Sequence, residues 1–145
     1  MFQKKSMLSE SEARVLSPRL LAHLGDAVFH LYERERQLLL AKTASQIHRK
    51  ATIRSSAVGQ ANLLEGINSR LNDAEADIVR RARNMKAAQR HSQQAAYRLA
   101  TAFEALLGYL YLTNADRLDE VLAWTLEEPP AEASADHPAN VKDRL

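Results

Sequence analysis

Residues 97–112 most constrain what this chain can fold into. Their apolar side chains recur every three or four positions, which is the period of a helix with a wide buried stripe. Glu104 lies in the middle of this stripe, and a buried carboxylate is costly unless another group pairs with it. Gly108, four residues later, lowers helix propensity, so we expect it to admit a second helix at close range. We therefore expect the rest of the chain to bring a second carboxylate and a basic surface to Glu104.

The second carboxylate is predicted to come from a long helix that begins at Ser17 and Pro18 and ends near Leu40. Serine is a favoured N-cap, and proline suits the first helical position. Asp26 follows Gly25 in this helix, so a carboxylate again lies beside a residue that permits close packing. The predicted apolar side of the helix consists of Leu20, Leu21, Leu24, Ala27, Val28, Leu31 and Leu38. A second face carries Ala22, Asp26, Phe29 and Glu33.

The remaining elements complete an all-α prediction. The chain has 145 residues, enough for one domain with a real core, and only four glycines and four prolines. Residues up to about 16 look irregular or weakly helical. Shorter helices are predicted over residues 46–51, 57–71, 74–84 and 116–126, with an exposed loop over 85–94. Residues from 128 onward have the composition of a disordered tail.

Composition and charge exclude several classes of protein. The chain has no cysteine, which excludes disulfides and thiolate metal sites and fits a reducing cytoplasm. The first 17 residues form neither a signal peptide nor a membrane span. The net charge is only +2, but residues 36–64 and 78–103 are basic and contain no acid. Such stretches indicate a polyanionic partner such as nucleic acid, or alternatively a solvated helix face.

Asp26 and Glu104 suggest metal chemistry. Magnesium takes oxygen ligands and keeps several waters, so one or two carboxylates can hold it. A bound metal lowers the pKa of water and stabilises charge on a phosphate. The alternative is that either acid pairs with Arg83, Lys86 or Arg98 and only holds the fold.

Two segments resemble a known family. Residues 21–29, Leu-Ala-His-Leu-Gly-Asp-Ala-Val-Phe, resemble the Leu-Gly-Asp signature of the ribonuclease III catalytic domain. Residues 101–110, Thr-Ala-Phe-Glu-Ala-Leu-Leu-Gly-Tyr-Leu, resemble the second catalytic helix of that family. Arg-Asn-Met-Lys at 83–86 and Ala-Ala-Tyr-Arg at 95–98 resemble the Mini-III branch, which lacks a double-stranded-RNA-binding domain. The resemblance implies a lead-in over residues 1–16, a catalytic domain over 17–128 and a tail over 129–145.

The resemblance also implies an activity. The fold would be the all-helical endonuclease domain acting as a homodimer, with one active site per subunit. It would cut both strands of double-stranded RNA and leave 5′-phosphates and 3′-hydroxyls. The branch is associated with maturation of the large-subunit (23S) ribosomal RNA precursor in the cytoplasm, with neither a membrane nor a nucleotide cofactor involved. By this resemblance Asp26 and Glu104 are the catalytic acids and Mg²⁺ ligands, and the metal activates the attacking water.

The sequence departs from the longer ribonuclease III enzymes at three positions. Arg19, Ala22 and Thr101 stand where those enzymes carry further acids, a thinning that the Mini-III branch shares. Fewer charges imply weaker metal binding and more coordination by water or RNA oxygens. The competing function is a non-catalytic RNA-binding or ribosome-associated helical protein. Such a protein has no electrostatic reason to keep Asp26 and Glu104 facing a polyanion.

Further residues are predicted to contact RNA or to line the site. Lysine and arginine supply sequence-independent affinity for phosphates. A helix C-cap role is the alternative for the group near residue 84, and core packing is the alternative for Tyr97. The candidates are His48, Arg49, Lys50, Arg54, Arg83, Asn84, Lys86, Tyr97, Arg98 and Thr101.

Overall fold

Seven α-helices and one 3₁₀ turn form the part of the chain that this computed structural model describes, residues 7–40, 43–85 and 94–127. At 46–48, 50–52 and 94 the description covers the helical backbone but not the side chains. The all-α prediction is confirmed. The helices are α1 (Glu10–Arg14), α2 (Pro18–Leu40), α3 (Ala44–Ser55), α4 (Ala57–Ile67), α5 (Asp73–Arg83), α6 (Gln94–Thr113) and α7 (Ala115–Trp124), and the 3₁₀ turn is Asn68–Arg70.

Side-chain caps mark the beginnings of α2 and α5, and the cap at Ser17 is the predicted one. The Ser17 hydroxyl accepts the N–H of Arg19 at 3.1 Å at the beginning of α2. Asn72 and Glu75 form a capping box at the beginning of α5. In it the Asn72 side chain accepts the Glu75 N–H at 2.9 Å, and the Glu75 carboxylate accepts the Asn72 N–H at 3.0 Å. Local sequence therefore determines where these helices begin.

Helix α6 is the central element of the fold. It contacts α1, α2, α4, α5 and α7, with α2 as its main partner. Its residues from Ala102 to Leu110 are buried, except for the partly exposed Glu104. The rings of Phe29 on α2 and Phe103 on α6 meet edge to face, with their centroids 5.2 Å apart. The run that dominates the sequence is thus the centre of the core.

Two glycines bring the backbones of α2 and α6 into contact. A Cβ atom at Gly25 would lie 1.6 Å from the carbonyl oxygen of Glu104. A Cβ atom at Gly108 would lie 2.0 Å from the carbonyl oxygen of Leu21. No side chain other than hydrogen fits at either position, which confirms the predicted close approach.

The predicted apolar side of α2 is partly wrong. Leu20 and Leu38 are 60% and 71% exposed, whereas the buried row contains Ala22 and Phe29 from the predicted second face. The reason is the glycine contact, because it turns the Gly25 side of α2 toward α6 and centres the buried row there. The periodicity of the sequence predicted that α2 has a buried face. The backbone contact with α6 at Gly25 determines which side of α2 forms that face.

Several element bounds also differ from the prediction. The lead-in contains a capped helix, α1, whose Ala13 is fully buried, and the N–H of Leu8 donates to Leu112 at 3.0 Å. Helix α3 continues four residues beyond its predicted end, and α4 ends four residues early, where the 3₁₀ turn replaces its last turn. Most of the predicted 85–94 loop and the whole predicted tail lie outside the described residues.

Two buried carboxylates with arginine partners tie the outer helices together. Glu33 on α2 is fully buried and lies 2.8 Å from the Arg54 Nε of α3. Glu75 on α5 is 1% exposed and lies 2.9 Å from the Arg117 Nε of α7. Arg117 also stacks on the ring of Trp124, 4.7 Å from its centroid. Within the described ranges, no helix is both long and apolar enough to cross a membrane.

Candidate functional site

Asp26 of α2 and Glu104 of α6 lie side by side at the glycine contact. The negative charge of Asp26 is one of the causes that raise the pKa of the Glu104 carboxyl, so the two acids are near neighbours. Gly25 precedes Asp26, and its Cα faces the backbone of Glu104 itself. The backbone contact therefore places one acid directly against the other.

Burial raises the pKa of Glu104 to about 7, and the negative charge of Asp26 adds to this effect. A hydrogen bond from the Gln60 amide acts in the opposite direction, because it stabilises the ionised carboxylate. Near neutral pH the Glu104 carboxyl is consequently partly protonated. A divalent cation bound between them would relieve the same repulsion.

The neighbours that affect the pKa of Glu104 are the Asp26 carboxylate and the Gln60 amide. The alternative, in which the acid pairs with a basic residue and only holds the fold, required a cation there. Among the described residues no ion pair involves Glu104. The exposed Arg83 and Arg98 form no ion pair with Asp26 or with Glu104. Lys86, the third predicted cationic partner, lies outside the described residues. The Nδ1 atom of His30 lies 3.1 Å from the Asp26 Oδ1 and 2.8 Å from the Asp26 carbonyl oxygen.

His30 and Gln60 were both missed by the sequence analysis. His30 follows Asp26 by four residues on α2, and that spacing could have identified it. Gln60 is 2% exposed on the inner row of α4, between Ala57 and Leu64. A polar residue on an apolar row is the same signal that singled out Glu104.

The donor set fits a hard divalent cation such as Mg²⁺. Asp26 and Glu104 offer carboxylate oxygens, and the Asp26 side chain is 51% exposed, so a hydrated ion can reach it. The described part of the chain holds no group of three or more His, Cys, Asp or Glu side chains arranged for a metal. Two carboxylates would thus hold the ion, and waters or substrate oxygens would complete its coordination.

The other candidates on α5 and α6 lie at helix ends. Arg83 is exposed at the end of α5, and Asn84 is its C-cap, with its N–H directed at the Arg80 and Ala82 carbonyls. Tyr97 is 49% exposed near the start of α6, so the core-packing alternative is wrong. The Thr101 hydroxyl donates to the Tyr97 carbonyl at 3.0 Å. Thr101 thus bonds its own helix backbone one turn before Glu104.

The candidates on α3 separate into exposed and engaged residues. Arg49 is exposed, while the side chains of His48 and Lys50 are not described. Arg54 donates from Nε to Glu33 at 2.8 Å, and from its other two nitrogens to the Thr125 carbonyl and hydroxyl, both at 3.0 Å. All three nitrogens of Arg54 are engaged inside the protein, so we remove it from the RNA-contact candidates.

Comparisons with known proteins agree with this geometry. The family model described as the ribonuclease III domain matches residues 19–115. The Mini-ribonuclease 3 of Synechocystis sp. is 43% identical over 117 residues, which cover 80% of this chain and 81% of that protein. The Mini-ribonuclease 3 of Gloeobacter violaceus is 44% identical over 112 residues, which cover 77% of this chain and 83% of that protein. A crystal structure of a Fusobacterium nucleatum protein superposes with a TM-score of 0.68 at 27% identity, covering 79% of this chain and 92% of that one.

Proposed function

The chain belongs to the ribonuclease III family, in its Mini-ribonuclease 3 branch, and from this membership we propose that it is a Mg²⁺-dependent endoribonuclease of double-stranded RNA. The observation that carries the proposal is the contact of Asp26 with Glu104. Two acids held this close repel each other and destabilise a fold, so their placement favours a role in binding a cation.

The two acids have different parts in the proposed reaction. When bound, Mg²⁺ stabilises negative charge on the scissile phosphate and lowers the pKa of water at the site. Asp26 is half exposed and would meet the ion from the solvent side. Glu104 is more buried and would hold the ion from the protein side, in an orientation set by the rigid α6. Leaving groups of this hydrolysis carry 3′-hydroxyls, and the other products carry 5′-phosphates.

A basic surface near the site would bind the RNA backbone. Arg83, Tyr97 and Arg98 are exposed at the ends of α5 and α6, and Arg49 is exposed on α3. Duplex RNA is recognised mainly by its shape and by contacts to phosphates and 2′-hydroxyls, which suits arginine and lysine. His48, Lys50, Asn84, Lys86 and Thr101 remain proposed members of this surface or of the site lining.

We place the activity in ribosome maturation. The proposed substrate is the precursor of the large-subunit (23S) ribosomal RNA in the cytoplasm. A homodimer would present two copies of the Asp26 and Glu104 pair, one for each strand. Membership of the branch supports both parts of this proposal.

The test uses a labelled RNA duplex and its separate single strands, each with Mg²⁺ or with EDTA. We expect cleavage of the duplex only, with Mg²⁺ only, and its loss in Asp26→Asn and Glu104→Gln. Glu65→Gln is the matched control, because Glu65 is an exposed acid on α4, and it should cut like the wild type. Duplex binding without cleavage would instead favour the non-catalytic RNA-binding function. Cleavage that survives Asp26→Asn would place the site elsewhere.

A further inference from the structure

His30 contacts Asp26 at two points, one on the backbone and one on the side chain. The His30 Nδ1 atom lies 2.8 Å from the Asp26 carbonyl oxygen and 3.1 Å from the Asp26 Oδ1. A helical side chain leans back toward the N-terminus of its helix, over the residue four positions earlier. The spacing of the two residues on α2 therefore brings the ring of His30 onto Asp26.

The contact with the carbonyl oxygen identifies which ring nitrogen carries a proton. A carbonyl oxygen only accepts hydrogen bonds, so the His30 Nδ1 must donate to it. The Oδ1 atom of Asp26 lies beside the same N–H group and is attracted to it. The imidazole can make this donation in its neutral form. An arginine or lysine in its place would bring a permanent positive charge, which repels a cation.

The two acids of the site differ in how firmly the fold holds them. Glu104 lies on the central helix between Phe103 and Ala105, which are both fully buried. The Asp26 side chain is 51% exposed, so the core leaves much of its rotational freedom. Fixing a mobile side chain when a ligand binds costs conformational entropy. A partner that fixes the Asp26 carboxylate in advance would lower that cost.

We propose that His30 is a positioning residue of the acidic site, where its Nδ1–H group holds the Asp26 carboxylate in the orientation that receives a divalent cation. The proposal rests on the proposed function. The contact with Oδ1 leaves the second carboxylate oxygen of Asp26 for the ion. Hydrogen-bond partners of metal-binding carboxylates orient those ligands and strengthen metal binding.

Three variants separate the Nδ1–H group from the rest of the ring. His30→Ala removes the whole ring and favours the helix. His30→Asn keeps a neutral N–H donor near the position of Nδ1 and lacks the second ring nitrogen. His23→Ala is the matched control, because His23 is an exposed histidine on the same helix. The probe is Mn²⁺, an oxygen-seeking ion whose unbound form is counted by electron paramagnetic resonance. Loss of binding in Asp26→Asn assigns the site.

We expect His30→Ala to weaken Mn²⁺ binding about tenfold or more, as loss of a partner behind a metal ligand typically does. His30→Asn should recover most of the lost affinity, and His23→Ala should bind Mn²⁺ like the wild type. Equal Mn²⁺ affinity in His30→Ala and the wild type would overturn the proposal. An asparagine variant that binds as weakly as the alanine variant would also overturn it, because the donor alone would then not suffice.

The cleavage assay distinguishes positioning of Asp26 from direct contact with RNA. His30→Ala should need about tenfold more Mg²⁺ for half of its maximal rate, with KM for the duplex unchanged at saturating Mg²⁺. A raised KM together with wild-type Mn²⁺ affinity would assign His30 to the RNA surface and contradict the proposal.

The two proposals fail separately. A wild type that binds Mn²⁺ through Asp26 but cuts no RNA contradicts the proposed function and leaves the role of His30 measurable. A wild type that cuts RNA, with His30→Ala equal to it in Mn²⁺ affinity and in Mg²⁺ requirement, contradicts the role of His30 alone.

Discussion

Gly25→Ala tests whether the backbone contact between α2 and α6 builds the acidic site. The new Cβ would lie 1.6 Å from the carbonyl oxygen of Glu104 and 2.9 Å from the backbone nitrogen of Gly108. Both obstacles are backbone atoms of the central helix, so no side-chain rotation can make room. The two helices must move apart by roughly 1.5 Å or more before the contact becomes an ordinary van der Waals distance.

The expected cost follows from two opposing effects. Overpacking a core typically costs about 1–3 kcal/mol, and a backbone obstacle lies at or above the upper end of that range. Alanine recovers about 1 kcal/mol of helix propensity relative to glycine. We therefore expect Gly25→Ala to lower the free energy of unfolding by about 2 kcal/mol or more. A displacement of Asp26 from Glu104 by about 1 Å should lower cleavage about 100-fold in molecules that remain folded.

Urea denaturation and the duplex cleavage assay measure these effects against a matched control. Gly66→Ala makes the same change within α4, where a Cβ atom would meet nothing within 4 Å. It should raise the free energy of unfolding by up to about 1 kcal/mol and leave cleavage unchanged. Equal stabilisation of both variants would refute the close contact. Destabilisation of Gly25→Ala with full cleavage would refute its role in placing the acids.

Three further experiments address charge. Because the pKa of Glu104 is raised from 4.5 to about 7, the wild type should lose up to about 3 kcal/mol of stability as pH rises through that range in EDTA. Glu104→Gln lacks this loss, and urea denaturation at pH 4.5 and pH 8 should show its advantage only at the higher pH; a constant difference would contradict the assignment. Arg54→Met leaves buried Glu33 with Arg36 alone, 3.6 Å away, and should lower the free energy of unfolding by about 3 kcal/mol, against less than about 1 kcal/mol for Arg80→Met, which breaks an exposed pair. Arg98→Ala should weaken duplex binding and lower the salt dependence of its affinity by about one phosphate contact, with kcat unchanged; an unaltered salt slope would exclude Arg98 from the RNA surface.

Local sequence predicted the helices and the glycine contact because each depends on few residues. The caps at Ser17 and Asn72 act within one turn, and only a glycine allows backbones to touch. The rotation of α2 was not predictable from its periodicity, because its leucines are spread around much of the helix. Leu38 is exposed and its neighbour Gln37 is buried. Which of the two is buried depends on the helices that pack against α2.

The candidate site was predictable only in part for a related reason. The acids Asp26 and Glu104 were identified because each lies in a long amphipathic helix beside a glycine. The role of Arg54 depends on a contact between separate helices, and a basic stretch has the same sequence pattern whether its arginines face RNA or a buried Glu33. Sequence spacing cannot distinguish these cases, since Glu33 lies 21 positions from Arg54.

Among the described residues, three inward carboxylates differ in their partners, and this difference supports the proposed role of Glu104. Glu33 and Glu75 are each 1% exposed or less, and each is paired with an arginine from another helix, which stabilises its charge. Glu104 is paired with Asp26, which opposes its charge, at a contact that also requires two glycines in helix interiors. Glu33 and Glu75 each have an arginine partner, whereas Glu104 has a second acid beside it. Glu104 is therefore the exception among these three carboxylates. Such departures are expected where a site is built for a ligand, and a divalent cation is the ligand that turns this repulsion into binding.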